Sequence, residues 1–288
     1  VKLDKISVVT LGPQGTFSHQ ASKKVMQYLH LYSDNIELSF EKTIAKIFRE
    51  VNNGIDIAVV PLENSEAGSI GTTMDNIIES SKIGMLIVAE TDLNINHFLA
   101  SKGKLSDIEI IYTHPQSYSQ CELFIESNLK QAEILFTPSN SISAQKVASS
   151  EQTNIAAIVP LLCTEIYHLP ILAKKIQNSN INSTRFMVIT AKDHIKKLFE
   201  SRIKSKSTIL IDPRDDRPGL LSEILQIFAA KLINLTKIES RPSKRRLGDY
   251  VFYVDLQADL SHPILQSCVE ELQQIVSLRN LGSYNRIN

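Results

Sequence analysis

The stretch NINSTRFMVIT, residues 180–190, sets four polar side chains against an apolar run. FMVIT is apolar and β-branched, and it reads as a buried strand. Asn182, Ser183, Thr184 and Arg185 stand directly before it. Polar residues at the mouth of such a strand are either a turn or a site. The rest of the chain decides between the two.

Outward from this stretch, short apolar runs alternate with longer segments of helical period. KISVVTLG, IELSF and IDIAVVP read as strands, with the helices FSHQASKKVMQYL and TIAKIFREVN between them. Then follow the helix TTMDNIIES, KIGMLIVAETDL as one strand or two, the strand IEIIYTH, the helix SYSQCELFIESNL and the strand EILFTPS. The helix SISAQKVASS, the strand NIAAIVP and the helix LLCTEIYHL complete the series. This order predicts α/β layers with largely parallel sheets. From Ala191, AKDHIKKLFESRIKSKS is Lys-rich and weakly periodic, which predicts a solvated linker or hairpin. Beyond it, STILIDP, GLLSEILQIFAAKLI, LTKIES, DYVFYVDLQA, LQSCVEELQQIV and LRNLGSY run in βαββαβ order, the ferredoxin-like plan. The two helices of such a unit cover one sheet face. The other face needs a partner, which predicts dimers paired through the sheet.

Composition excludes several classes. The 288 residues favour two domains, and 43% hydrophobic with 22% charged residues is the balance of a globular protein. With 31 basic and 31 acidic residues, bulk electrostatics point to neither nucleic acid nor a membrane surface. Cys121, Cys163 and Cys268 are scattered, which argues against a disulfide framework or structural metal site and for a reducing compartment. No apolar run approaches the ~18 residues of a membrane span, and the N-terminal segment lacks the pattern of a secretory signal. The expected location is cytoplasmic.

Three further strand mouths could hold a ligand, since open α/β sheets bind beyond the carboxyl ends of their strands. LGPQGTFSH, residues 11–19, carries Gly15 and Thr16 into a helix start, where unpaired N–H groups attract anions. It is neither of the common nucleotide loops, and alone it reads first as a tight turn. AVVPLENSEAGS, residues 58–69, places Glu63, Asn64 and Ser65 directly after an apolar strand; it is a capping turn or a site. IIYTHPQSYSQC, residues 110–121, sets His114 between strand and helix. If the four mouths converge, the cleft holds the hydroxyls of Thr16, Ser65 and Thr184, the amides of Asn64 and Asn182, and one cation, Arg185. Such a cleft suits a small carboxylate.

Taken together, LGPQGTFSHQA, VVPLENSEAGSI with TTMDNI, THPQSYSQC, AAIVPLLCTEIYHL, NSTRFMVI, RPGLLSEIL, INLTKIESRP, GDYVFYVD and LGSY resemble the monofunctional prephenate dehydratases with a C-terminal ACT regulatory domain. The resemblance covers nearly the whole chain. It implies a two-lobed catalytic region like the periplasmic binding proteins over residues 1–191. Lobe one would comprise about 1–82 and 162–191, and lobe two about 83–161, with crossings near Ile83 and Leu162. A linker over 192–206 and a ferredoxin-like ACT domain over 207–288 would follow.

The implied reaction converts prephenate to phenylpyruvate, with loss of CO2 and water, and needs no cofactor or metal. The family's essential threonine falls on Thr184, with Arg185, Asn64 and Ser65 beside it as catalytic residues; Arg185 would pair a carboxylate either of the substrate or of the protein. Gly15, Thr16, Glu63, Asn182, Phe186 and His114 form the implied substrate-binding set, although a bare Glu63 carboxylate would repel a dianion unless it orients neighbours. L-phenylalanine is the implied effector, bound by Pro218, Gly219, Leu220, Leu221, Asn234, Glu239, Ser240, Arg241 and Pro242. Leu220 stands where the family usually has Ala, which would alter an amino-acid pocket. Ile158, Val159 and Pro160 replace commoner small residues and read as structural. A homodimer or homotetramer is expected. An arogenate dehydratase and a non-catalytic amino-acid sensor are the alternatives; an intact NSTRF argues against the sensor.

Overall fold

The computed structural model describes residues 5–30, 35–200, 204–213 and 217–288. In the first lobe, β1 (Ile6–Leu11), α1 (Phe17–Tyr28), β2 (Ile36–Glu41), α2 (Ile44–Asn52) and β3 (Ile57–Asn64) come first. The two-residue β4 (Gly68–Ser69), α3 (Gly71–Ser80) and β5 (Leu86–Asn94) complete its first pass. The second lobe is β6 (Phe98–Ser101), β7 (Ile110–Thr113), α4 (Pro115–Ser119), α5 (Glu122–Asn128), β8 (Glu133–Phe136), α6 (Asn140–Ser149), β9 (Ile155–Val159), α7 (Leu161–Ile166) and β10 (Ile171–Lys174). The chain then returns as β11 (Ser183–Thr190) and α8 (Asp193–Leu198). The C-terminal unit is β12 (Lys206–Pro213), α9 (Leu220–Ala230), β13 (Leu235–Pro242), β14 (Tyr250–Leu256), α10 (Pro263–Leu272) and β15 (Val276–Ile287), the expected βαββαβ order.

Lobe one is built on the sheet β2-β1-β3-β11-β5, and lobe two on β10-β6-β9-β7-β8. Within each, β1, β2 and β3, or β7, β8 and β9, are parallel. The strand that returns from the other lobe, β11, runs antiparallel to both neighbours. The α/β, two-lobed class is as expected, but the lobe boundaries are not. β5 belongs wholly to the first sheet and β10 to the second. The crossings therefore lie between Asn94 and Phe98 and between Lys174 and Ser183, not near Ile83 and Leu162. Two four-residue strands, β6 and β10, are too short to register as separate periods. SYSQCELFIESNL is also two helices, α4 and α5, not one.

Two expectations about the junction are corrected. The segment 192–206 is not a solvated linker: it contains α8, and Ile195 and Phe199 are buried against the core of lobe one beside Ile57, Val59 and Val188. Residues 201–203 of that segment lie outside the described residues. The sheet face of the C-terminal unit opposite its helices is also not left for a second copy. Leu210, Val251, Tyr253, Leu281 and Tyr284 share one core with Phe48, Met74, Ile77 and Ile87 of lobe one. The last residues of β15, Asn285–Ile287, pair in parallel with Ala89–Thr91 of β5, so the two sheets are continuous. Gly282 permits this approach. Its φ of 142° is unsuited to other residues, and a Cβ there would sit 2.1 Å from the Ile87 carbonyl oxygen.

Candidate active site

A cleft of about 380 Å³ opens between the lobes. Thr184 and Asn64 form its floor on lobe one. They are cross-strand partners at the ends of β11 and β3, so the pairing register itself brings them together. Asn64 Nδ2 donates to Thr184 Oγ1 (2.9 Å), Asn182 Oδ1 (2.7 Å) and the Ser183 carbonyl (3.0 Å). Asn64 Oδ1 accepts from the N–H groups of Glu66 (3.1 Å) and Ala67 (2.9 Å). The amide is thus locked. Because Thr184 Oγ1 accepts from Asn64, its own proton is free to be donated into the cleft, and the accepted bond polarises that O–H.

Other residues singled out from the sequence also reach the cleft. Thr16 caps α1, accepting from His19 N (3.4 Å). His114 caps α4 with Nδ1 accepting from Gln116 N (3.2 Å), and burial holds its pKa below the usual imidazole range. Asn182, 2% exposed, does not line the cleft but sits one layer behind, between Asn64 and the Glu66 carboxylate, to which it donates (3.1 Å).

Several do not line it. Gly15 N donates to His19 Nδ1 (3.0 Å), so that N–H is not offered to a ligand. Gly15, at φ 90°, serves the lobe contact instead: its carbonyl accepts from Cys163 Sγ (3.2 Å), and a Cβ would come 2.8 Å from that sulfur. Ser65 Oγ accepts from Ser183 N (3.0 Å) and ties β3 to the NST turn. Phe186 is 1% exposed within the core of lobe one. Arg185 and Glu63 point to the C-terminal unit, where Arg185 Nη1 bonds Glu63 Oε1 (3.1 Å) and Lys237 Nζ bonds Glu63 Oε2 (2.6 Å). Burial would raise the Glu63 pKa, but Lys237 and Arg185 outweigh it and hold the carboxylate below its usual range.

The removal of Arg185 leaves no Lys or Arg among the described residues lining the cleft. The partial charges of helix starts are what remains there to attract an anion. α1 and α6 each run ten residues or more, and their first-turn residues Phe17, Ser18 and Asn140 line the cleft, as does Ile70, the residue before α3. First-turn N–H groups lack intrahelical partners and carry the positive end of the helix dipole. Among the described residues no group of three or more His, Cys, Asp or Glu is placed to hold a metal.

Comparison with known proteins decides the family. The family model described as prephenate dehydratase matches residues 8–194, and that of the ACT domain matches residues 208–272. The chain belongs to the prephenate dehydratase family. It is 33% identical to a prephenate dehydratase of Methanocaldococcus jannaschii, over 98% of each chain. It is 34% identical to the bifunctional chorismate mutase/prephenate dehydratase of Aquifex aeolicus, over 97% of this chain and 74% of that one. Among solved structures, the prephenate dehydratase of Arthrobacter aurescens, crystallised in complex with L-Phe, superposes with a TM-score of 0.82 at 28% identity. That match covers 98% of this chain and 90% of the other.

The residues the sequence reading missed lie on lobe two and at the crossing. His97, wholly buried between β5 and β6, lines the cleft edge-on to Phe17. Its Nε2 lies 2.9 Å from Gln120 Oε1, and among the described residues its Nδ1 has no partner. Burial, only partly opposed by the Gln120 bond, lowers its pKa, so it is neutral at neutral pH. Asn140 Nδ2 donates to Ser117 Oγ (2.6 Å), and Asn140 Oδ1 accepts from His114 N (3.1 Å). INHFLA carries no strand-mouth signal, because His97 sits at a crossing the sequence does not mark.

In the ACT unit, Leu220 is 4% exposed and packs in the core with Ile224 and Phe228. The Leu220 side chain therefore fills the core of the C-terminal unit. Pro218 and Gly219 precede α9, and Leu221 is exposed. Asn234 Nδ2 donates to Gln257 Oε1 (2.9 Å). On β13, Glu239 and Arg241 are partly buried and alternate with exposed Ser240 and Pro242; Arg241 Nη2 bonds Asp75 of α3 (2.9 Å). Ile158 and Val159 are fully buried in β9, while Pro160 lines the cleft at the start of α7.

Proposed function

We propose that the chain converts prephenate to phenylpyruvate with release of CO2 and water, on the route to phenylalanine. The observation that carries this is the Thr184 hydroxyl. It accepts from a locked Asn64 and is free to donate into a cleft lined by neutral groups and helix starts. In the reaction, the C–C bond to the ring carboxylate breaks and its electron pair enters the ring. The C–O bond to the para hydroxyl breaks as a proton is added, and water leaves. The balance is redox-neutral and consumes one proton per dianion. Hydroxide is a poor leaving group, so donation to the departing oxygen is the step that needs help. Thr184 supplies that hydrogen bond or passes on a proton. The helix starts of α1 and α6, with Asn140, Ser117 and Thr16, suit the carboxylates.

The ACT unit is proposed to bind phenylalanine through the Pro218–Leu221 loop and the Glu239–Pro242 strand. The Arthrobacter aurescens enzyme crystallised with L-Phe supports this. A homo-oligomer is part of the same reading. Its support is the outer edge of the sheet, where terminal β13 exposes Ile238. Buried, unpaired Cys121, Cys163 and Cys268 fit a cytoplasmic enzyme; no helix among the described residues is long and apolar enough to cross a membrane.

The test is phenylpyruvate formation from prephenate, followed by absorbance with and without phenylalanine. Turnover suppressed by phenylalanine is expected. Turnover of arogenate but not prephenate, or binding without turnover, would overturn the assignment.

A further inference from the structure

Arg185 makes five contacts that the cleft does not use. Its Nε donates to Glu90 Oε2 (2.7 Å), and its Nη1 to Asp255 Oδ2 (2.5 Å) and Glu63 Oε1 (3.1 Å). Nη2 donates to Tyr284 OH (3.1 Å) and pairs with Glu90 Oε2 (2.5 Å). Glu63 and Glu90 lie on β3 and β5 of lobe one; Asp255 and Tyr284 lie on β14 and β15 of the ACT unit. Lys206 of β12 reaches Glu90 (2.8 Å), Lys237 of β13 reaches Glu63 (2.6 Å), and Thr208 Oγ1 donates to Asp255 Oδ1 (2.6 Å). Three cations, Arg185, Lys206 and Lys237, thus face Glu63, Glu90 and Asp255, and Lys237 also pairs with Glu239 (3.3 Å). The side chains of Glu90 and Asp255 are 2% and 0% exposed and that of Arg185 10%, so the centre of the cluster is buried at the domain boundary, while Glu63 and Lys206 at its edge reach solvent. Burial works against the Arg185 charge, and Asp255 foremost outweighs it.

Thr184 with Asn64 and Arg185 with Glu63 are consecutive cross-strand pairs on β11 and β3. Successive strand residues point to opposite faces, so one pair faces the cleft and the next faces the ACT unit. We propose that Arg185 is a positioning residue: it transmits the state of the ACT unit to Thr184 and Asn64 and does not bind substrate. This rests on the prephenate dehydratase reading above. Other ties join the domains: Arg241 to Asp75, Arg279 to the Ile78 carbonyl, and β15 to β5. They reach α3 or β5, whereas Asp255 and Lys237 grip the strand pair that carries the cleft residues. A buried cation held by partners on both domains cannot lose one side without finding another partner. A shift of β14 against lobe one must therefore move Arg185, and the stiff strand moves Thr184 with it.

The test uses the full chain. Phenylalanine affinity is measured by calorimetry without and with saturating phenylpyruvate, and kcat and KM are measured on prephenate. By linkage, the ratio of the two affinities is the coupling factor, usually ~5–150 for an allosteric pair. Asp255→Asn keeps the shape and one acceptor. It is expected to bring the factor to within twofold of one and to lower kcat at least tenfold, with KM changed less than threefold. Arg185→Lys keeps the charge but not the fork, and should fall between Asp255→Asn and wild type. If Asp255→Asn fails to fold, Lys237→Met should still bring the factor toward one. Folded variants with lower stability but wild-type coupling and kcat would make the cluster structural only and overturn the proposal. A wild-type chain that does not turn over prephenate would instead refute the functional reading beneath it.

Discussion

Replacing Thr184 by Val removes one hydroxyl and little else. Val keeps the β-branch and the volume, and a β-branched residue suits the strand end of β11. The locked amide survives. Asn64 Nδ2 carries two hydrogens and has three acceptors within reach, so after the change Asn182 Oδ1 and the Ser183 carbonyl still satisfy it. No buried donor is orphaned, and the stability change should stay within about 1 kcal/mol. The kinetic effect is different in kind. A single donor aimed at a developing oxyanion or leaving oxygen is worth about 2.7–4 kcal/mol, a factor of ~10²–10³ in kcat. KM should change less than threefold, since the bond strengthens only as the C–O bond breaks. The assay is initial rate of phenylpyruvate formation across prephenate concentrations, beside a thermal melt. Thr184→Ser, which keeps the hydroxyl, should retain at least a tenth of the wild-type kcat. A Thr184→Val enzyme within threefold of wild type in kcat, or one that loses only affinity, would refute the role.

Leu220→Ala is expected to cost ~2–5 kcal/mol in denaturant unfolding, because Leu220 is a core residue of the ACT unit; unchanged stability with altered phenylalanine affinity would return it to the pocket. Burial would raise the pKa of Asp56, but Lys192 and the Ser7 groups that bond it at 2.7 and 2.8 Å hold it below its usual value. Its contribution to stability is therefore full above about pH 4 and is lost as pH falls through the lower folded value, so Asp56→Asn should flatten the acid side of a stability–pH curve.

The order of elements was legible because each has a clean period: FSHQASKKVMQYL repeats every three to four residues, and IDIAVVP is apolar throughout. The lobe crossings were not, since KIGMLIVAETDL reads as the same strand whichever sheet receives it, and only pairing partners place it beside β11. Thr184 and Asn64 were legible as polar residues at strand ends. Treating NSTR as one cluster groups Arg185 with the cleft residues, whereas its side chain pairs the protein's own carboxylates. A strand turns each successive side chain over, so Thr184 in the cleft already implied Arg185 on the other side. The partner of the ACT face was invisible for a different reason. Leu210, Val251 and Tyr253 state that a face is apolar, not whether the cover comes from the same chain.

The absence of a cation from the described lining also follows from the chemistry proposed for it. A substrate carboxylate that leaves as CO2 loses its negative charge on the way to the transition state. A Lys or Arg bound to that group would stabilise the ground state more than the transition state, and so would slow the step. Neutral donors and helix starts hold the anion with a partial charge that is lost at smaller cost. The charge instead accumulates toward the departing ring oxygen, where Thr184 is the donor. Arg185, one residue away, would be the wrong group on the cleft side of β11. Three carboxylates, Glu63, Glu90 and Asp255, hold it on the opposite face. There its charge serves the boundary between domains and leaves the reacting carboxylate free to depart.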